Sequence, residues 1–142
     1  MLLWLKVSTV LAPIIGFALA AQPVPEGIHS DGDGTVAVCG LISPSVAALE
    51  AEIQLRGDVE RLQGTPYYTA YAIDERRVLT FTTVENRAHP AVACRQVFVN
   101  PEGGSSIRTS ISCNNSRENC DWLYREFEGL TNRTLQSMEG GH

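Results

Sequence analysis

The sequence predicts an α+β fold, in which an antiparallel sheet of about five strands carries two helices on one face and is stabilised by disulfides. Three observations lead to this class. Two segments carry apolar residues at helical spacing, five shorter segments are rich in β-branched and aromatic residues, and the cysteines are even in number. The order of these segments is one strand, a helix, two hairpins and a second helix, which indicates an antiparallel sheet rather than alternating βαβ units.

The first strand and the first helix open a single domain that is predicted to span residues 35–138. Residues 35–42 form a short apolar run between turn residues and predict a buried strand. Ser43 and Pro44 supply an N-cap and a proline at the first helical position, so a helix is predicted from there to Gln63. Gly57 could kink or divide it. Its apolar face consists of Val46, Leu49, Ile53, Leu55, Val59 and Leu62.

The next two segments predict a β-hairpin. Residues 67–73 and 78–84 are rich in aromatic, threonine and branched residues, and the polar residues 74–77 between them predict a four-residue loop. Direct pairing then places Ala72 opposite Leu79 and Ala70 opposite Phe81. Such small-large pairs are suited to a core face.

A second hairpin and a final helix complete the domain. Residues 91–100 and 105–113 are predicted strands turned by residues 101–104, with Phe98 opposite Ile107 and Val92 opposite Cys113. On the second of these strands, the odd-numbered residues from Ile107 to Cys113 are mostly apolar and the even-numbered residues are polar, as in a half-exposed strand. The final helix is predicted from Glu118 to Met138. Its apolar residues are Trp122, Leu123, Phe127, Leu130, Leu135 and Met138.

The first twenty residues predict a cleavable signal peptide. A start with a single Lys6 leads into a largely apolar run over residues 7–20, and Ala18 and Ala20 are the small residues that precede cleavage after Ala20. The mature protein is therefore predicted to be extracellular, or periplasmic if the source is bacterial. The alternative is an uncleaved membrane anchor, against which Pro13 and the absence of a basic flank after Ala21 both argue.

Two polar segments flank the predicted domain. Residues 21–34 are rich in proline, glycine and aspartate without an apolar period, which predicts a flexible N-terminal arm. Residues 139–142 form a short tail. After removal of the leader, no segment is long and apolar enough to span a bilayer, so no membrane association is expected.

The charge of the mature chain makes nucleic acid an unexpected partner. Ten arginines against sixteen acidic residues leave a net charge of −6 after residue 20. No lysine follows Lys6, so every cationic side chain of the mature protein is an arginine. A GC-rich genome explains this bias, and so does escape from ubiquitin in a foreign cytosol, since lysine is the ubiquitin acceptor.

The four cysteines predict two disulfides in an oxidising compartment, and more than one pairing fits the predicted elements. Cys94 and Cys113 lie near each other in the second hairpin, which would leave Cys39 to meet Cys120. The other set closes a short loop between Cys113 and Cys120 and joins Cys39 to Cys94. We favour this second set. A zinc site is disfavoured because no C-x-x-C pair is present.

The sequence predicts no catalytic, metal or cofactor site. Residues 31–35 resemble the opening of a calcium loop, but Val36 and Ile42 occupy the positions that require glycine and glutamate. The imidazoles available as a base are His29, His89 and His142, of which only His89 lies inside the predicted domain. No catalytic motif accompanies it.

Two N-glycosylation motifs begin at Asn114 and Asn132, and both positions would have to be exposed if they are used.

These observations favour binding over catalysis. The first hypothesis is a small secreted, disulfide-stabilised interaction protein, such as a fungal or other pathogen or symbiont effector that acts on a host molecule. Its partner would be another protein or a cell-surface molecule. The alternatives are a bacterial periplasmic immunity or inhibitor protein, and a small secreted hydrolase or toxin that uses His89 with an acidic residue.

Overall fold

A computed structural model of the chain describes residues 28–29 and 34–139. The predicted leader, residues 140–142 and most of the predicted arm lie outside the described residues. Within the arm, Ile28 and His29 form a short strand that pairs with the main sheet.

The described residues form two helices and eight strands. In chain order these are β1 (Ile28–His29), β2 (Val36–Val38), β3 (Leu41–Ser43), α1 (Val46–Leu55), β4 (Glu60–Arg61), β5 (Tyr68–Ala72), β6 (Arg77–Thr82), β7 (Ala91–Val99), β8 (Ser105–Cys113) and α2 (Arg117–Glu139). The main sheet has the order β1-β8-β7-β6-β5-β4. Its strands β4 to β8 are antiparallel; β5 to β8 are the two predicted hairpins, whereas β4 lies in a segment predicted to be helical. β1 runs parallel to β8 at the outer edge. The α+β class is therefore confirmed.

The predicted strand over residues 35–42 is wrong, because this segment is a hairpin of two short strands. β2 and β3 pair with each other as a separate sheet, with Val38 opposite Leu41. The two residues between them, Cys39 and Gly40, both have positive φ angles, of 49° and 77°. Two positive φ angles are the signature of the type I′ turn, which matches the twist of a tight hairpin. The sequence Cys39-Gly40 thus reverses the chain in the middle of an apolar run.

Helix α1 is shorter than predicted and begins later. Its N-cap is Ser45 rather than Ser43, and the Ser45 side chain accepts a hydrogen bond from the backbone N–H of Ala48 at 3.0 Å. The helix ends at Leu55 instead of continuing to Gln63. Gly57 disfavours helix beyond that point. The following residues instead form β4, which pairs with the edge of β5.

The predicted register of the first hairpin is wrong by one residue. Tyr71 lies opposite Leu79, and Ala72 lies opposite Val78. The cause is the loop, since Asp74 Oδ1 accepts hydrogen bonds from the backbone N–H groups of Arg76 and Arg77, each at 2.8 Å. This Asx-type turn draws the strands together one residue earlier than a four-residue loop would.

The register of the second hairpin differs in the same way. Ala91 rather than Val92 lies opposite Cys113, and every other pair is shifted accordingly. Asn100 donates its backbone N–H to the carbonyl of Gly104 at 3.0 Å, so the loop holds three residues instead of four. The positive φ angle of Gly103, 97°, is the left-handed position that completes a three-residue hairpin loop.

The two helices cover opposite faces of the sheet, so the prediction that both lie on one face is wrong. The central strands are apolar on both faces, and such a sheet requires a cover on each side. One core cluster joins α1 and the β2–β3 hairpin to the sheet; it contains Val36, Val38, Val46, Leu49, Ile53, Tyr71, Ile73, Leu79, Phe81, Val92 and Cys94. The other joins α2 to the opposite face; it contains Ala88, Ala91, Ala93, Ile111, Cys113, Cys120, Leu123 and Phe127.

Helix α2 agrees with its predicted bounds to within one residue at each end. The Ser116 hydroxyl accepts a hydrogen bond from the backbone N–H of Asn119 at 3.3 Å, as an N-cap does. The helix begins next to Cys113 and runs back along β8, so that Thr131 reaches Thr109 with a hydroxyl-to-hydroxyl distance of 3.3 Å. α2 and β8 are therefore antiparallel neighbours.

Both disulfides of the favoured set are present. Cys39 bonds Cys94 with a Cα–Cα distance of 6.0 Å, and Cys113 bonds Cys120 with a Cα–Cα distance of 5.8 Å. The alternative bond between Cys94 and Cys113 is excluded by the register. Cys94 lies opposite Ser110, so its side chain and that of Cys113 point to opposite faces of the sheet. One disulfide thus fixes the β2–β3 hairpin to the sheet, and the other fixes the start of α2 to β8.

Candidate functional site

The clearest candidate site is an open groove of about 350 Å³ between α2 and β8, which we call the edge groove. Three consecutive residues of β8 form one wall, and residues one helical turn apart on α2 form the other. The lining residues are Ile107, Arg108, Thr109, Tyr124, Glu128, Thr131, Asn132 and Leu135. The groove therefore offers apolar, hydroxyl, amide and charged groups to a ligand.

A smaller pocket of about 260 Å³ lies under the same helix on the side of β5 and β6. Phe127 and Tyr68 form its apolar part, and their rings meet edge to face with centroids 5.8 Å apart. Burial raises the pKa of the Tyr68 hydroxyl, although a hydrogen bond from Asn86 opposes this effect. The remaining lining residues are Thr80, Glu126, Leu130 and Arg133.

Arg95 is a cationic residue on the α2 face of the sheet. It lies on β7, where it is opposite Val78 of β6 on one side and Thr109 of β8 on the other. Its Nε atom is buried without a hydrogen-bond partner, and burial lowers the pKa of its guanidinium group. The sheet beneath α2 thus carries a partly desolvated positive charge.

His89, the imidazole singled out in the sequence, anchors the loop between β6 and β7. Its Nδ1 atom lies 3.0 Å from the carbonyl oxygen of Thr82, which can only accept, so Nδ1 carries the proton. The carbonyl of His89 accepts a hydrogen bond from Asn115 Nδ2 at 2.6 Å. Neither lining set given above includes His89. These contacts give His89 a structural role at this corner of the sheet.

An acidic residue near His89 is Glu50 on α1, which the sequence did not identify. Burial raises the pKa of the Glu50 carboxyl, while the charges of His89 and Arg61 and a hydrogen bond with Tyr71 oppose that rise. Gln54 also donates to the Tyr71 hydroxyl, at 3.1 Å. The arrangement is a polar network at the edge of the α1 core, outside both lining sets.

The other predicted site residues occupy varied positions. Asn114 and Asn132 are both exposed, and Asn132 lines the edge groove. Asp31, Asp33 and His142 lie outside the described residues, and the side chain of His29 is likewise not described. Within the described ranges, no group of three or more histidine, cysteine or acidic residues could hold a metal ion.

No short sequence motif encodes the edge groove, so its residues are not identifiable from the sequence alone. The apolar period of α2 predicts the helix but not the strand on which it packs. The signal that points to the groove is the polar side of α2, where Glu128 and Asn132 are exposed next to the buried side that carries Leu123 and Phe127. Only the sheet order places these residues beside β8.

Comparison with family models, with curated proteins and with solved structures gives no match. In the part of the chain that the structure describes, neither helix has the length and apolar character needed to cross a membrane.

Proposed function

We propose that this chain is a small secreted interaction protein, of the effector kind that a pathogen or symbiont releases to act on a host molecule. The observation that carries this proposal is the edge groove, which is open and is lined by both apolar and polar side chains. Such a mixture is typical of protein-recognition surfaces, where aromatic and aliphatic side chains supply contact area and polar groups supply specificity.

The position of the disulfides supports a binding role. The Cys113–Cys120 bond joins the start of α2 to the end of β8, the two elements that form the walls of the groove. A surface held in one geometry before it meets its ligand loses less conformational entropy on binding. Two disulfides also agree with export by the predicted leader into an oxidising compartment.

Binding is favoured over hydrolysis by the positions of His89 and Glu50. His89 donates Nδ1–H to the carbonyl of Thr82 at the corner between β6 and β7, and Glu50 belongs to the network with Tyr71 on the α1 side of the sheet. A general base must reach the proton that it removes from a bound substrate. Neither residue is in the lining of the edge groove.

Two matched tryptophan variants test the proposal in the producing organism. Glu128→Trp places a bulky side chain in the edge groove, and Glu52→Trp makes the same change on the exposed side of α1. A strain lacking the gene is expected to lose a phenotype in contact with its host. Wild type and Glu52→Trp should restore it, and Glu128→Trp should not.

Both variants must first be recovered from the culture medium with two disulfides and an unchanged Tm. Full restoration of the host phenotype by Glu128→Trp would contradict the proposed binding surface. A deletion strain that colonises normally would contradict the effector role itself.

A further inference from the structure

The pocket of about 260 Å³ between α2 and strands β5 and β6, which we call the inner pocket, differs in character from the edge groove. Its lining residues are Tyr68, Thr80, Glu126, Phe127, Leu130 and Arg133. The wall is mostly apolar and carries a few polar groups, which is the usual composition of a small-molecule site. The inner pocket lies on the side of α2 away from β8 and β1, so it is a second site rather than a part of the edge groove.

Arg95 is on the face of β7 that α2 covers. Ala93, two residues before it, belongs to the α2 core cluster, and side chains two residues apart share a face of a strand. Arg95 pairs with Val78 of β6, and Val78 shares its face with Thr80, which lines the inner pocket. Arg95 is therefore a diagonal neighbour of the pocket wall, at a separation of about 7 Å that a long side chain can bridge.

The position of Arg95 along α2 follows from one contact between the helix and the sheet. Thr109 lies opposite Arg95 on β8, and its hydroxyl is 3.3 Å from that of Thr131. Arg95 is thus level with the part of α2 around residue 131. That part falls between Phe127 and Arg133, which both line the inner pocket. The side chain of Arg95 therefore starts from beneath the helix within the span of the pocket.

The two ends of the inner pocket carry opposite charges. Arg133 is at one end, and Glu126 is seven residues earlier on α2, which is about 10 Å along the helix axis. Burial raises the pKa of the Tyr68 hydroxyl and the charge of Glu126 raises it further, so Glu126 lies at the Tyr68 end. A ligand anion is therefore attracted to the arginine end and repelled by the other.

Arg95 adds an unpaired positive charge to the arginine end. Its Nε atom is buried without a hydrogen-bond partner, and no ion pair found among the described residues includes Arg95. Burial lowers the pKa of its guanidinium group. A partly desolvated cation without an anion destabilises the fold, and departures of this kind from the rules of core packing occur mainly at functional sites.

We propose that the inner pocket binds a small apolar carboxylic acid, with its carboxylate at Arg95 and Arg133 and its apolar body against Phe127 and Leu130. This ligand is separate from the partner of the edge groove, so the inference does not rest on the proposed function. An arginine binds a carboxylate through two parallel hydrogen bonds, and the ligand thus supplies a counter-charge to Arg95. The apolar walls then fix the orientation of the ligand body.

The test compares two ligands that share one apolar body. Hydrocinnamate carries a carboxylate, and hydrocinnamamide carries a neutral amide of nearly the same shape. Each is titrated at neutral pH into the mature protein with both disulfides formed, and NMR follows the side-chain signals of Phe127 and Leu130. The acid is expected to bind about tenfold more tightly than the amide, because only the acid is attracted by the arginines.

Two methionine variants isolate the contribution of Arg95. Arg95→Met keeps a long side chain without its charge, and Arg125→Met makes the same change at an exposed position of α2 outside both lining sets. Affinity for the acid should fall about tenfold in Arg95→Met and stay unchanged in Arg125→Met, with the affinity for the amide unchanged in both. Free Arg95→Met should also have a higher Tm than the wild type, because an unpaired buried cation is removed.

A purely structural role of Arg95 predicts the opposite pattern, in which Arg95→Met has a lower Tm and loses affinity for both ligands equally. That pattern would overturn the site, as would equal affinity of the wild type for acid and amide, including no binding of either. Acid-induced shifts at Tyr124 of the edge groove instead of Phe127 and Leu130 would overturn it too. If Arg95→Met does not fold, the comparison of the two ligands on the wild type decides alone. The host phenotype of Glu128→Trp remains a separate test of the proposed function.

Discussion

At the scale of the single residue, the surroundings of Glu50 at the boundary of the α1 core change the pKa of its carboxyl. Burial raises the pKa of its carboxyl above the ordinary value of 4.5, and the nearby His89 and Arg61 charges reduce that rise. The folded protein therefore holds the Glu50 proton to a higher pH than the unfolded chain does. Its contribution to stability is present below pH 4.5 and is lost as the pH rises through the folded pKa.

Glu50→Gln is expected to stabilise the protein at neutral pH relative to acid. Glutamine keeps a hydrogen-bonding group for Tyr71 and never ionises, so the variant avoids the cost of a partly buried charge. The gain in free energy of unfolding over wild type should grow between pH 4 and pH 7, by less than about 1 kcal/mol after solvent screening. Urea denaturation at both pH values measures it, with Glu52→Gln on the same helix as the control. A gain that shrinks with rising pH would contradict this account.

At the scale of elements, single polar residues set how strands pair. The Asp74 carboxylate accepts two backbone hydrogen bonds in the β5–β6 loop and pairs with Arg77 Nε at 2.7 Å. These hydrogen bonds, first the one from the Arg76 backbone, lower the pKa of Asp74. Its stabilising effect is thus present above the ordinary pKa of 3.8 and is lost as the pH falls through the folded value.

Replacing Asp74 tests whether its side chain fixes the register of the hairpin. Asp74→Asn retains an oxygen acceptor for the turn, whereas Asp74→Ala retains none, so the alanine variant should lower Tm by several degrees more than the asparagine variant. Thermal unfolding followed by circular dichroism measures the difference. Equal Tm values would show that the loop length, rather than the Asp74 side chain, determines how β5 meets β6.

How far the elements follow from the sequence depends on whether local pattern or long-range pairing determines them. The apolar period of α2 and the composition of β5 to β8 are local features, and they predict these elements correctly. The end of α1 is different, because residues 60–61 become a strand only where β5 offers an edge. The registers also escaped prediction, since each depends on hydrogen bonds within one loop that shift the pairing by one residue.

The candidate site was even less accessible to sequence reasoning than the fold. The alternating pattern of residues 105–113 assigns Ile107 and Thr109 to one face of a strand, which the structure confirms. It does not reveal that this strand is second from the outer edge, or that its neighbour β1 is only two residues long. Both are properties of the sheet order, which is formed by residues far apart in the chain.

At the scale of the whole molecule, each disulfide attaches a different covering layer to the sheet. Cys39 and Cys94 are 55 residues apart in the sequence, and their bond fixes the β2–β3 hairpin, which covers one face. Cys113 and Cys120 are only 7 residues apart, and their bond fixes α2 on the other face. Because the apolar central strands need both covers, the two bonds stabilise the sandwich from opposite sides.

Removing the bonds separately is expected to give unequal losses of stability. Replacing both cysteines of the long-range pair with serine should cost about 4 kcal/mol, against about 2.5 kcal/mol for the short-range pair, because the longer loop restricts the unfolded chain more. Urea denaturation of the two double variants measures the difference. The reverse order would mean that native packing around α2, rather than loop closure, dominates the effect.

The central claim is that the edge groove is the surface through which the protein meets its partner. Its most direct test is photo-cross-linking in extracellular fluid from the contacted host, with a photoreactive residue at position 128 in the groove or at position 52 on α1. We predict one discrete cross-linked product from position 128 that disappears when excess unlabelled mature protein competes, and no such product from position 52. The same product from both positions, or one from position 52 alone, would contradict the claim.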